Sequence, residues 1–259
     1  MEKLQRFKQW LKKNRKSENC FLRISIRIFD LCVHFIRTVK GLLIDKNARS
    51  IFCMKAFNSK RTHQTTATTC LNRYPKIFSA CKKYFADREK IRILSFGCST
   101  GEEVITLQNY FPDAVIVGAE INKNSLAICR KLDLGESVHF IDSSPQKIDE
   151  FAPYDAIFCM AVFQRTPGVI ADKKITDIKR IYPFEKFENQ VVELDKYLNK
   201  SGLLIIHMSQ YDFSDTVLAP NYEAYGDYNQ NYYGSFVFDR DSKIKKKIEN
   251  RNSIFIKNK

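Results

Sequence analysis

Five small residues, Gly97-Cys98-Ser99-Thr100-Gly101, follow the apolar run 91–96, and Glu120 stands 23 residues beyond Gly97. Glycine at the first and last place of such a turn lets the backbone approach a ligand with no Cβ in the way. A second apolar run, 114–119, carries Glu120 to the tip of the neighbouring strand. A carboxylate there can accept both hydroxyls of a ribose. The dinucleotide spacing G-x-G-x-x-G is absent, because the turn reads G-C-S-T-G. The pattern therefore suits a ligand with adenosine and ribose but no pyrophosphate to cradle.

Such residues need rigid elements to hold them. Residues 91–96 read as a short buried strand and 102–110 as a helix, with Val104, Leu107 and Gln108 in helical register. Residues 114–119 read as a second buried strand and 125–132 as a second helix. Strand, turn, helix, strand, acid, helix is one half of a doubly wound α/β sheet.

The turn and its flanks resemble the cofactor motif of class I S-adenosylmethionine-dependent methyltransferases, and SFGCSTGEE is similar to the first motif of the chemotaxis-receptor methyltransferases. The likeness continues through VHFID (138–142), YDAIFCM (154–160) and the segment 194–206, and covers roughly residues 65–210. It implies a Rossmann-like, mainly parallel sheet of seven strands with the last antiparallel, preceded here by an N-terminal helical extension. It implies S-adenosylmethionine as cofactor, held by Ser95, Gly97, Cys98, Ser99, Gly101, Glu102, Glu120, Ile121, Asp142, Ser143, Cys159, Met160 and Ala161. Met160 and Ala161 stand where the chemotaxis enzymes have Arg and Asn, so receptor-glutamate methylation is not implied.

Methyl transfer from a sulfonium is an in-line displacement, for which the protein supplies alignment and, for a weak nucleophile, a base. In that fold the methyl group faces the ends of the first, fourth and fifth strands, which puts 160–165 and 207–212 beside it. His207 is the candidate general base, or else a hydrogen-bonded structural histidine. Arg165 and Asp212 are candidates for orienting the acceptor. No N/D-P-P-Y/F follows the fourth strand and no Pro-Cys pair exists, which argues against exocyclic-amine and cytosine-C5 methylation of DNA. Six of twelve tyrosines, at 211, 222, 225, 228, 232 and 233, fall after the fifth strand. They either stack on an acceptor or pack a long loop onto the sheet. Segments 236–238 and 253–256 read as the last two strands, joined by a hydrophilic connection.

The N-terminal third has another character. Residues 1–90 hold 22 Lys+Arg against 6 Asp+Glu, whereas 91–240 hold 14 against 21. A basic appendage points to a polyanion, either an anionic membrane face or a nucleic acid. In 21–44, Arg23, Arg27, Asp30, His34 and Arg37 recur at helical spacing within an otherwise apolar stretch. Those charges speak against a membrane span and a signal peptide. The helix must still bury its apolar surface, either on the downstream domain or in a membrane interface. Residues 45–72 read as a linker or loop, and 74–86 as a helix with Pro75 in its first turn.

With 259 residues, 44% apolar and 28% charged, collagen-like and wholly disordered readings are excluded. Eight cysteines without zinc-ligand spacing point to a reducing compartment and no metal, and Cys32, Cys53, Cys129 and Cys159 read as buried thiols. The expectation is a basic amphipathic segment, 1–64, and a cofactor-binding methyltransferase domain, 65–259. The enzyme is expected in the cytoplasm, peripheral at the inner membrane face through residues 1–44, methylating a glycan, lipid-linked or protein carboxyl or hydroxyl group. The alternatives are an RNA or protein methyltransferase that uses the basic end, and a methyltransferase-fold binding protein without turnover.

Overall fold

The largely buried run Arg92–Phe96 forms β1, an inner strand of a seven-stranded sheet with order β3-β2-β1-β4-β5-β7-β6. The other strands are β2 (Val115–Glu120), β3 (Val138–Asp142), β4 (Tyr154–Met160), β5 (Leu198–His207), β6 (Tyr222–Ala224) and β7 (Ile254–Lys257). The first five are parallel, β7 runs antiparallel to β5, and β6 pairs with β7 at the edge. This computed structural model describes residues 2–231 and 236–258, without the side chains of Glu2, Lys3, Leu4 and Lys8. The basic side chains of Lys3 and Lys8 and the tyrosines 232 and 233 thus lie outside the described residues.

The chain divides into two units, 1–52 and 53–259. Within the second, alternate strand residues feed two cores, as the period of two along a strand requires. Leu94, Ile157 and Leu204 pack with Phe187, Val191 and Leu194 of the helix Phe184–Asp195. Ile93, Phe158 and Leu203 pack with Phe78 of Pro75–Tyr84 and with Val104 and Leu107 of Glu102–Tyr110. Strand order reverses between β1 and β4, which opens a crevice at their C-terminal ends.

The first unit carries α1 (Glu2–Asn14), α2 (Cys20–Ile44) and the start of α3 (Lys46–Phe57). Asn19 caps α2 by accepting the Phe21 and Leu22 amides at 3.0 and 3.2 Å. The Phe7 ring of α1 lies edge-on to Phe29 of α2 at 5.7 Å. Among the described residues no helix is long and apolar enough to cross a membrane.

Three local expectations are corrected. Residues 46–57 are helical rather than loop, because the Asp45 carboxylate accepts the Asn47 and Ala48 amides and caps the turn. Segment 236–238 is not an edge strand: Phe238 is fully buried and makes only isolated bridges to Tyr211 and Ile244, and the partner of β7 is Tyr222–Ala224. Cys32 is exposed and Cys53 half-buried, while Cys129 and Cys159 are buried as expected. The exposure of Cys32 follows from its place on the open apolar side of α2.

Candidate functional site

At the crevice, the turn after β1 is drawn over β2 by backbone hydrogen bonds, with the Gly97 and Cys98 amides donating to the Ala119 carbonyl at 2.8 and 3.2 Å. Gly97 has φ +77°, and a Cβ there would sit 2.7 Å from Val162 Cγ2. Gly101 has φ +103° at the start of the following helix, and a Cβ there would meet Leu132 Cδ1 at 2.6 Å. Both positions need glycine for conformation, and Gly97 needs it for space as well.

Glu120 ends β2 beside Asp142 of β3 and is 7% exposed. Its Oε2 accepts the Ser99 amide at 2.8 Å and its Oε1 the Asn122 amide at 2.7 Å. Burial raises its pKa, against the lowering effect of these amides. The carboxylate is thereby oriented, with acceptor capacity left for a ligand. Ser99 Oγ is buried and has no hydrogen-bond partner among the described residues. A buried hydroxyl left in this way beside an oriented carboxylate suits a polar ligand seated there.

A cleft of about 320 Å³ opens over the turn. Of the thirteen residues assigned to the cofactor, eight line it: Gly97, Cys98, Ser99, Glu120, Ile121, Ser143, Met160 and Ala161. The other five stand behind it. Ser95 Oγ donates to Glu103 Oε1 at 2.7 Å, Glu102 accepts the Thr100 hydroxyl, and Gly101 makes room for Leu132. Asp142 pairs with Arg61 at 3.3 Å and accepts the Ser144 amide, and Cys159 is buried within β4.

Three non-glycine residues of the lining, Ser99, Ala161 and Met208, have positive φ of 54°, 56° and 56°. They follow β1, β4 and β5. Left-handed backbone at side-chain-bearing residues costs about 1 kcal/mol each and concentrates at functional sites.

The three residues expected to act on the acceptor do not line the cleft. His207 ends β5 as expected, but it is 3% exposed, its Nδ1 is 2.9 Å from Ser253 Oγ, and its ring packs against Tyr74 at 4.7 Å. Burial first, then Arg251 and Arg73, lower its pKa to about 4, so it is neutral and enclosed. Arg165 donates from Nη1 to the Thr62 and His63 carbonyls at 3.4 Å. Asp212 accepts the Ser214 amide and caps a single 3-10 turn. Tyr211 is in the core, Tyr222 donates to Asp195 at 2.6 Å, and Tyr225 stacks with Tyr228. The described tyrosines of that segment therefore pack the loop.

Two features were missed. One is Glu103, half-buried in the lining, whose pKa is pushed up to about 8 by desolvation, against the Ser95 hydrogen bond and the Arg73 charge. The doubled acid at 102–103 was its only signal. The other is the segment 61–74, which forms one wall with Arg61, His63, four threonines, Arg73 and Tyr74. It is pinned by Lys186, whose Nζ donates to the Ser59 and Thr62 carbonyls at 2.6 and 2.7 Å, and by His63, 2.8 Å from the Tyr182 hydroxyl.

No protein-family model and no curated protein matches the chain. Among solved structures it is similar to the plantazolicin methyltransferase BpumL in complex with SAH, at 16% identity over 66% of this chain and 58% of that one, TM-score 0.39. It is similar to SAM-bound CalS10, an amino pentose methyltransferase from Micromonospora echinaspora, at 19% identity over 58% and 53%, TM-score 0.38. The third is WbdD, at 14% identity over 76% and 44%, TM-score 0.42. The chain thus spans less than two thirds of each of these relatives.

Proposed function

We propose that residues 53–259 bind S-adenosylmethionine in the cleft and direct its methyl group to an acceptor oxygen. The observation that carries this reading is the Glu120 carboxylate, oriented by backbone amides at the tip of β2, bonded to the glycine-bounded turn after β1 and lining a cleft of suitable size. The bound cofactor would supply an activated methyl on a positively charged sulfonium. Glu120 would accept the ribose hydroxyls, and Gly97 would leave room for the ligand's close approach. Arg73 would attract the cofactor's carboxylate, and Glu103 its ammonium. The half-buried Glu103 carboxyl suits a ligand with a cationic group better than a neutral nucleoside. The acceptor would be a hydroxyl or carboxyl group; the motifs for exocyclic-amine and cytosine-C5 methylation of DNA are absent, which argues against a DNA base.

The test is transfer of labelled methyl from S-adenosylmethionine into cell fractions by the full chain. Transfer that disappears in Glu120→Ala supports the reading. Cofactor binding without transfer to any fraction would instead identify a binding protein that keeps the fold without turnover.

A further inference from the structure

In the first unit, α2 exposes large apolar residues from end to end: Phe21, Ile28, Leu31, Phe35, Ile36 and Leu43, with Phe21 85% and Leu43 72% exposed. At 100° per residue these fall on one broad face, opposite the stripe Arg23, Arg27, Asp30, His34 and Arg37. The helix has 25 residues, so this face is about 37 Å long. Phe7, edge-on to Phe29 and stacked on Trp10 at 6.1 Å, extends the apolar surface onto α1. A face of this extent is not left in water by an isolated soluble unit.

Charge selects what covers it. Residues 1–44 hold 11 Lys+Arg against 3 Asp+Glu. Arg6, Lys12, Lys13, Arg15, Lys16, Arg27, Arg37 and Lys40 are all exposed. The polar stripe spans Arg23 to Arg37 of α2, so by lying along a surface the helix buries its apolar face without burying charge. We infer that α1 and α2 dock in the plane of an anionic lipid surface, with Phe21, Ile28, Leu31 and Phe35 at the acyl boundary and the cationic side chains at the headgroups. This inference is independent of what the cleft binds.

The test uses the full chain, flotation with vesicles, and the fluorescence of Trp10, the only tryptophan in the sequence. With vesicles of phosphatidylcholine containing about one third phosphatidylglycerol, in about 0.15 M salt, the protein is expected to float and the Trp10 emission to shift to the blue. Lys12→Glu with Lys13→Glu is expected to weaken anionic binding by about thirtyfold or more, and pure phosphatidylcholine to bind the parent more weakly still. Ile28→Asp with Phe35→Asp alters only exposed positions and is expected to abolish flotation while circular dichroism stays unchanged. Folded protein that stays with the aqueous phase overturns the inference, as does equal binding to neutral vesicles. A lipid-independent dimer that Ile28→Asp with Phe35→Asp makes monomeric would overturn it in favour of a second copy on this face. Flotation that requires added RNA would overturn it in favour of a nucleic-acid partner.

Discussion

The Ser99 amide donates to Glu120 Oε2 at 2.8 Å, which joins the turn after β1 to the carboxylate at the end of β2. Ser99 reaches this position through left-handed backbone, with φ 54°, and its carbonyl accepts the Cys129 thiol at 3.1 Å. One bond thus fixes two parts of the site, the backbone of the turn and the Glu120 carboxylate. Glu120→Ala is expected to weaken S-adenosylhomocysteine by on the order of a hundredfold, through lost hydrogen bonds to a charged group worth about 1.5–3 kcal/mol each. Calorimetric titration of folded variant and parent measures it. An unchanged Kd would remove Glu120 from the site.

Gly101→Val places a branched side chain where a bare Cβ already lies 2.6 Å from Leu132, at φ +103°. A loss of about 3 kcal/mol or more is expected, from overpacking and backbone strain together. Ala161→Gly has the opposite sign, because it relieves left-handed strain at φ 56°, by about 1 kcal/mol before the added chain entropy of glycine is set against it. Denaturant midpoints of the two variants should therefore separate widely, and equal midpoints would mean the turn is not held as described.

Glu103 makes ligand binding depend on pH. Its carboxyl titrates at about 8 in the folded protein, against the ordinary 4.5. Between those values the fold holds a proton that the unfolded chain has lost, so the free protein loses stability as pH rises through this window. A cationic ligand group favours the ionised form, so binding releases the proton and affinity rises from about pH 6 to about pH 8, by at most about tenfold per unit. Titrations across this range check it, with Glu103→Gln expected to flatten the profile. A slope retained in that variant would assign it to another group.

Lys186 holds the cleft wall at two carbonyls, and burial first, then Arg165, lower its pKa to about 8. Lys186→Met leaves both carbonyls without that donor, at a cost of about 1–3 kcal/mol. Faster proteolysis within 59–72 and weaker cofactor binding are expected together. Loss of stability with proteolysis and binding unchanged would show that the wall is held elsewhere.

The apolar runs 91–96 and 114–119, the glycine turn and the acid after β2 were legible because they are local, or one strand apart. The role of 61–74 was not, because it depends on contacts such as Arg61 with Asp142 and His63 with Tyr182, 81 and 119 residues apart. His207 was placed correctly at the end of β5, but its burial under Tyr74 depends on the helix that begins at Pro75, and no pattern near His207 reports that. The edge strand was misread because 236–238 is apolar enough for a strand yet serves the core, whereas Tyr222–Ala224 is too short to stand out.

The most direct measurement is calorimetric titration of the full chain with S-adenosylmethionine and S-adenosylhomocysteine, with Glu120→Ala in parallel. Micromolar binding of both ligands at one site per chain, lost in the variant, is the expected result. A well-folded protein that binds neither ligand would contradict the assignment of the cleft.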